Sequence, residues 1–244
     1  MARLRRAVLP GQPHMIIHRG QSGQAVFSDA ADRDHYLAGL RASATEARVA
    51  IHAYALLENE VRLLVTPSTV TGLADLMQAV GRQYVPAFNK KYGRSGSPWQ
   101  GRFRSTVIEA ANHFRACLRF VESWGEVETA DATRALGGAV WSSAAHHLGT
   151  RVDPLISDHP AFWAFGNTPF EREAAYRHFV KQAPAEDEVA AILRAALNGW
   201  VLGSPEFVAS VGRQTGRRPQ PAQRGRPKKG AAVPCANDMS PNTK

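Results

Sequence analysis

The order of strand-like and helix-like segments in the first half of the chain constrains its fold more than any other feature. Two β-rich runs, at 49–57 and 61–67, meet at Glu58 and Asn59, which is the length of a hairpin turn. The other segments are, in chain order, a strand at 13–19, a helix capped by Ser28 or Asp29, a helix at 71–91, a strand at 102–110 and a helix at 112–124. This split βαβ order predicts an α+β fold over residues 1–125, a ferredoxin- or RRM-like antiparallel four-stranded sheet with helices on one face.

The second half predicts a different organisation. Residues 126–212 read as an aromatic, helical extension, in which Thr168, Pro169 and Glu171 mark one helix start and 186–199 and 204–213 form two more helices. Residues 213–244 are basic and rich in Pro, Gly and Gln, which predicts a disordered tail. In the first half, Pro86 is expected to kink or shorten the helix at 71–91.

Composition narrows the class of partner. The chain has 244 residues, a net charge of +9 and a pI of about 10.1, which favours a polyanion such as nucleic acid. No apolar run approaches the ~18 residues of a spanning helix, and Pro10 and Gly11 interrupt the basic N-terminus before any signal core, so we expect a cytoplasmic protein. We expect its two cysteines, Cys117 and Cys235, to be a buried and an exposed thiol in a reducing compartment.

Several segments, in their order and spacing, carry a family likeness across nearly the whole chain. They are PGQPHMIIHRGQSGQAVF, IHAYALLENEVRLLVTP, LADLMQAVGRQYVPAFNKKYGRSGSPWQGRFRS, LRFVES, WSSAAHH, HPAFWAFGNTPFEREAAYR, GSPEFV and RGRPKK. With these segments the chain resembles the REP-associated tyrosine transposases, a branch of the HUH single-strand DNA transposases. The resemblance implies the split βαβ fold and cleavage of single-stranded DNA beside an imperfect hairpin, through a nucleophilic tyrosine and a divalent ion.

The residues that the resemblance assigns to this chemistry are replaced. Glu60 and Arg62 stand where the family has its two metal-binding histidines, Phe120 stands at the nucleophile, and Trp124 stands at the third ligand. Glu60 could still ligate a hard cation, but Arg62 has no lone pair to donate and Phe120 has no hydroxyl to attack phosphorus. We therefore expect no intact catalytic or metal site and no resident cofactor.

A rearranged site is the alternative, and it would use Mg²⁺ or Mn²⁺. Substitute nucleophiles would come from Tyr54, Tyr84 and Tyr92, although Tyr84 is expected to pack on the apolar stripe of its helix. His14 and His18 share one strand face and His52 lies on another strand, so they are the candidate relocated ligands. The pair His146-His147 is a weaker candidate, because adjacent extended residues point in opposite directions.

Two basic regions are candidates for DNA binding. Five basic residues bracket Trp99, namely Lys90, Lys91, Arg94, Arg102 and Arg104. Basic residues around an aromatic suit a single-stranded or hairpin partner through phosphate contacts and base stacking. The other interpretation makes Trp99 a core residue and the charges a solvated surface.

The tail contains the second region, Arg224-Gly225-Arg226-Pro227, which is the core of an AT-hook-like motif. An extended Arg-Gly-Arg fits the narrow minor groove of A·T-rich DNA. A generic basic tail that binds any polyanion is the alternative.

The sequence thus favours a nucleoid-associated DNA-binding protein that recognises hairpins or palindromic repeats without cleaving them. An active metal-dependent transposase or nuclease with a rearranged site, and a decaying remnant without a selected role, are the rival hypotheses. Nothing in the helices favours a monomer over a dimer.

Overall fold

The computed structural model describes residues 6–122 and 141–220, and its centre is a four-stranded antiparallel sheet. The strands are β1 (His14–Arg19), β2 (Val49–Leu56), β3 (Glu60–Pro67) and β4 (Arg104–Val107). Their order across the sheet is β2-β3-β1-β4, and β1 pairs antiparallel with both β3 and β4. The predicted α+β class and split βαβ topology are confirmed.

Three helices complete the N-terminal half, together with a short 3₁₀ helix, Gln21–Gly23. They are α1 (Ala30–Glu46), α2 (Gly72–Tyr92) and α3 (Ala110–Glu122). The predicted cap of α1 is present, because Asp29 and Asp32 form a reciprocal capping box. Pro86 lies inside α2 without ending it, since Tyr84 and Phe88 on either side pack into the same core.

The sheet is covered on both faces, which differs from the expectation of helices on one face. In β1, Ile16 packs with α1 and α2 in one core, while Met15 and Ile17 pack with α3 in another. The near-continuous apolar runs of β1, β2 and β3 are typical of strands buried on both faces, and the helix after β4 supplies the second cover. Cys117 of α3 is buried in this second core, as predicted, and burial raises the pKa of its thiol.

The extension adds to the layer that contains α3. Its helices are α4 (Ala144–His147), α5 (Pro160–Trp163), α6 (Pro169–Lys181), α7 (Glu186–Asn198) and α8 (Pro205–Thr215). Thr168 and Glu171 form the predicted capping box at the start of α6. Among the described residues, none of these helices combines the length and apolar content that a bilayer crossing requires.

The basic tail does not begin at Arg213, as the sequence suggested. Helix α8 continues to Thr215, and the main-chain N–H of Val201 donates to the carbonyl of Pro219 at 3.0 Å. Residues 213–220 are therefore part of the folded structure, because tertiary hydrogen bonding outweighs their polar composition. The rest of the predicted tail, including Cys235, lies outside the described residues, as does the predicted boundary at 125.

Candidate functional site

The two positions that the resemblance assigns to metal ligands lie beside the one it assigns to the nucleophile. Glu60 and Arg62 are alternate residues at the start of β3, so they share the sheet face that α3 covers. The ring centroid of Phe120, on α3, lies 4.4 Å from the Arg62 guanidinium carbon. Arg62 Nη1 also donates to the Phe120 carbonyl at 3.4 Å. We call Glu60, Arg62 and Phe120 the motif cluster; Trp124 lies outside the described residues.

Two ion pairs on one carboxylate organise the motif cluster. Arg62 Nε donates to Glu60 Oε1 at 2.5 Å, and Arg19 Nε donates to Glu60 Oε2 at 2.5 Å. Arg62 is only 3% exposed, and its burial lowers its pKa while the Glu60 carboxylate partly offsets that shift. An arginine side chain nevertheless stays charged in a protein.

These residues do not fit a divalent cation. Both carboxylate oxygens of Glu60 already accept from guanidinium groups, so an incoming ion would meet two positive charges at close range. Arg62 itself offers no ligand atom. Elsewhere in residues 6–122 and 141–220, no three His, Cys, Asp or Glu side chains form a group suited to a metal ion.

The candidate relocated ligands do not converge. Each of these histidines hydrogen-bonds a main-chain oxygen: His14 that of Gln12 at 2.8 Å, His18 that of Gly101 at 3.2 Å and His52 that of Ser157 at 2.6 Å. The second ring nitrogen of His52 lies 2.8 Å from Thr66 Oγ1. The three imidazoles are therefore held by separate parts of the fold.

Because of these histidines, we expect the stability of the fold to decrease at acidic pH. Burial lowers the pKa of His14, His18 and His52 to about 4 each, although the bond to a main-chain oxygen opposes the shift. Between pH 6.5 and 4 the unfolded chain binds protons that the folded chain does not, so the free energy of unfolding should fall as the pH drops through that window. The loss should be on the order of 1–3 kcal/mol per histidine, and urea unfolding at several pH values measures it.

A His52→Gln variant is the control for that effect, because glutamine keeps hydrogen-bonding capacity but does not titrate. Its stability should depend less steeply on pH between 6.5 and 4 than that of the wild type. His147 acts in the opposite sense: although burial lowers its pKa, Glu122 and Asp158 raise it overall. The His147 contribution is present below about pH 6.5 and is lost as the pH rises above that value.

Equal slopes in wild type and the His52→Gln variant would contradict the assignment to His52.

The candidate substitute tyrosines are engaged as hydrogen-bond donors. Tyr84 is buried and donates to the carbonyl of Val26, which fits the expected packing role. Tyr54 donates to Asp153 Oδ2 at 2.7 Å, and Tyr92 donates to Asp32 Oδ2 at 2.9 Å. Burial raises the pKa of Tyr84 and Tyr54, which disfavours the phenolate that attacks phosphorus.

Glu122 forms a second buried cluster that the sequence did not reveal. Its carboxylate accepts from Ser143 Oγ, lies 2.7 Å from His147 Nδ1 and accepts from Tyr176 OH at 2.5 Å. We call these four residues the buried carboxylate network. Serine and histidine both bond to the carboxylate rather than to each other, so the network contains no serine–histidine pair of the kind that activates a hydroxyl nucleophile. The network joins α3 to α4 and α6.

Trp99 lies in the hydrophobic core, which supports the core interpretation of this ring over base stacking. It is 5% exposed and stacks on His18, with ring centroids 4.1 Å apart. Its ring centroid also lies 6.2 Å from that of Tyr36 and 6.3 Å from that of Tyr84. The indole is therefore packed inside an aromatic cluster of His18, Tyr36 and Tyr84.

The basic residues around Trp99 divide into two groups. Lys91 pairs with Asp29 at 2.6 Å and Asp32 at 2.8 Å, and these hydrogen bonds raise its pKa. Lys90 is exposed, as is Arg94, which donates to Gln24 Oε1 at 2.9 Å. These residues lie at the end of α2 and just beyond it, and the acidic start of α1 offsets part of their charge.

Arg102 and Arg104 form the other group. They are exposed and line a pocket with Arg6 and Arg217, which sequence reasoning missed because they are far apart in the chain. We call these four residues the arginine pocket. The only signal for the two additional arginines was the basic composition of the N-terminus and of the segment after α8. Arg224, Gly225, Arg226 and Pro227 lie outside the described residues.

The chain was compared with family models, curated proteins and solved structures. No family model and no curated protein matches the chain. The structure of a REP-associated tyrosine transposase bound to a REP hairpin aligns with a TM-score of 0.50 and 14% identity, over 66% of this chain and 96% of that one. A candidate transposase from Deinococcus radiodurans R1 aligns with a TM-score of 0.34 and 24% identity, over 48% of this chain and 91% of that one. The sheet order and the alignment with the hairpin-bound structure show that the chain has the fold of a REP-associated tyrosine transposase.

Proposed function

We propose that this chain is a transposase-like DNA-binding protein that binds hairpin-forming single strands without cleaving them. One observation carries the absence of cleavage, namely the motif cluster. A guanidinium group lies where the family's chemistry needs a metal ligand, and it contacts a phenylalanine where that chemistry needs a hydroxyl. Within the motif cluster, neither the activation of a phosphate by an ion nor a covalent attack on phosphorus has a group to perform it.

The nature of the partner rests on charge and on the fold. A net charge of +9 favours a polyanion. The similar transposase binds a REP hairpin, and we extend that class of ligand, hairpins at palindromic repeats, to this chain. Exposed Lys90, Arg94, Arg102 and Arg104 would contact its phosphates, and the Arg224–Pro227 motif would add contacts to A·T-rich duplex. A DNA-binding protein of this kind would act in the cytoplasm, at the nucleoid.

A binding titration tests this function. Full-length protein is titrated, with Mg²⁺ and at two salt concentrations, against a hairpin single strand, an unstructured scramble of it and an A·T-rich duplex. We expect the hairpin to bind more tightly than the scramble at both salt concentrations, because shape recognition adds to a charge term that salt weakens. We also expect all the DNA to run as intact, protein-free strands under denaturing conditions.

The controls separate the parts of the proposal. An Arg224→Gln/Arg226→Gln variant should lose affinity for the A·T-rich duplex while it keeps its preference for the hairpin. Equal binding to all three DNAs that disappears at the higher salt would refute hairpin recognition and favour a remnant with a basic tail. A covalent protein–DNA band would refute the loss of cleavage and favour an active enzyme with a rearranged site.

A further inference from the structure

The arginine pocket is a concave surface lined by four arginines. It has a volume of about 370 Å³ and gathers four guanidinium groups from separate segments. Arg6 comes from the N-terminal segment, Arg102 and Arg104 from the loop before β4 and its first residue, and Arg217 from the segment after α8. No carboxylate in the described part of the chain lines it, and none of the four arginines forms an ion pair with a described acidic residue. The charge of the pocket is therefore not balanced by its own walls.

Two of the arginines are held in place by the protein. The Arg6 guanidinium carbon lies 3.7 Å from the ring centroid of Phe103, and Nε and Nη2 donate to the Phe103 carbonyl at 3.3 and 2.9 Å. Arg217 lies against Gly199. A Cβ added at Gly199 would come within 3.2 Å of the Nη2 atom of Arg217. Gly199 ends α7 with a φ of +68°, so both its backbone and its missing side chain make room for this guanidinium.

Among the residues that the structure describes, the positive charge of the arginine pocket has no negative charge beside it to balance it. Burial, followed by the nearby charges of Arg102, Arg104 and Arg217, lowers the pKa of Arg6 to about 10. Arg217 Nε is buried and has no hydrogen-bond partner among the described residues. Like charges brought this close destabilise the fold unless an anion binds between them.

The pocket lies near the motif cluster. Ile17 of β1 pairs with Arg62 on one side and with Arg104 on the other, so these three residues form a row across neighbouring strands. Residues in such a row lie on the same face of the sheet. Two strand spacings separate the backbones of Arg62 and Arg104, which is about 10 Å. The motif cluster itself is buried, so the arginine pocket is the exposed end of this row, where nucleic acid can bind.

We propose that the arginine pocket binds a backbone phosphate of the nucleic-acid partner. Arginine is suited to this ligand because its planar fork donates two parallel hydrogen bonds to phosphate oxygens. An anchored phosphate would fix the register of the strand on the protein surface beside β4, as phosphate contacts do in other complexes. The proposal rests on the proposed function, since it names the surface that holds the same DNA.

The test compares two double variants that remove the same charge. Arg102→Gln/Arg104→Gln alters the exposed half of the pocket, while Arg82→Gln/Arg151→Gln alters two exposed arginines outside it. Each full-length protein is titrated by fluorescence anisotropy against the hairpin strand, with a 5′-hydroxyl or a 5′-phosphate, at several salt concentrations. Circular dichroism and thermal unfolding check that both variants fold like the wild type.

We expect the pocket variant to bind about tenfold or more weakly, because each lost contact is a charge-assisted hydrogen bond. The slope of log K against log salt should become shallower by about 0.7 for one lost phosphate contact on a single strand. The control variant should change affinity by no more than about threefold, since exposed charges away from the contact are screened. Both 5′ ends should give the same result.

Three outcomes would overturn the proposal, and they are distinguishable. Equal affinity of the two double variants, with the wild type binding the hairpin, would remove the pocket and the Arg102 and Arg104 phosphate contacts but leave hairpin binding intact. An effect confined to the 5′-phosphorylated strand would assign the pocket to a terminal phosphate instead of the backbone. Failure of the wild type to bind any DNA would overturn both the pocket and the proposed function.

Discussion

Replacing Glu122 with leucine is expected to lower the free energy of unfolding by about 3–5 kcal/mol. Glu122 is 1% exposed, and its carboxylate receives hydrogen bonds from Ser143, His147 and Tyr176. Leucine would leave these three buried polar groups without their acceptor, and desolvation of each would then be uncompensated. The network links α3 to the extension, so its loss should destabilise the whole fold. Urea unfolding at pH 7, monitored by circular dichroism, measures the change in the free energy of unfolding.

The matched control is Glu46→Leu, at the exposed end of α1, which should stay within about 0.5 kcal/mol of the wild type. A Glu122→Leu protein that is as stable as this control would show that the network contributes nothing. Near-ultraviolet circular dichroism adds a second readout, since Tyr176 lies in the aromatic cluster of the extension.

Replacing Arg62 with methionine is expected to cost about 3 kcal/mol, because it leaves the Glu60 carboxylate buried with only one of its two guanidinium partners. The remaining partner, Arg19, is partly exposed and cannot compensate fully. The contact between the guanidinium and the Phe120 ring is lost as well. Urea unfolding of the full-length protein measures the change.

A Glu60→Leu/Arg62→Met double variant should recover most of that loss, since an apolar pair of similar volume avoids burying a lone charge. Arg82→Met on the exposed side of α2 is the control for loss of an arginine and should be nearly neutral. A double variant no more stable than Arg62→Met alone would mean that the ion pair stabilises the cluster beyond mutual neutralisation.

Local sequence patterns were sufficient to predict the helices and strands. The 58–59 break between two β-rich runs, the Asp29 cap and the Thr168 to Glu171 cap all occur where the residues predict them. Caps and hairpins depend on contacts between residues a few positions apart, so the local sequence is enough to predict them. The adjacency of Glu60 and Arg62 on one face likewise follows from the period of a strand.

Contacts between distant segments were not predictable in the same way. The sequence left two interpretations of Trp99 open, and only its position over His18 and beside Tyr36 and Tyr84 decides between them. The tail was predicted to begin at Arg213 because its composition is polar, yet one hydrogen bond from Val201 to Pro219 shows that 213–220 are folded. Composition describes the average cost of ordering a segment, and specific tertiary contacts can outweigh it.

The sequence by itself determined the element order, the topology and the residue types at the motif positions, and the chemistry of arginine and phenylalanine follows from those types. Only the tertiary structure decided that Arg62 lies on Phe120 and is paired with Glu60, and that both sheet faces are covered. It alone brought Arg6, Arg102, Arg104 and Arg217 into one pocket. The physical reason is that side-chain periodicity fixes which face a residue occupies, whereas the partner across that face is set by how distant segments pack.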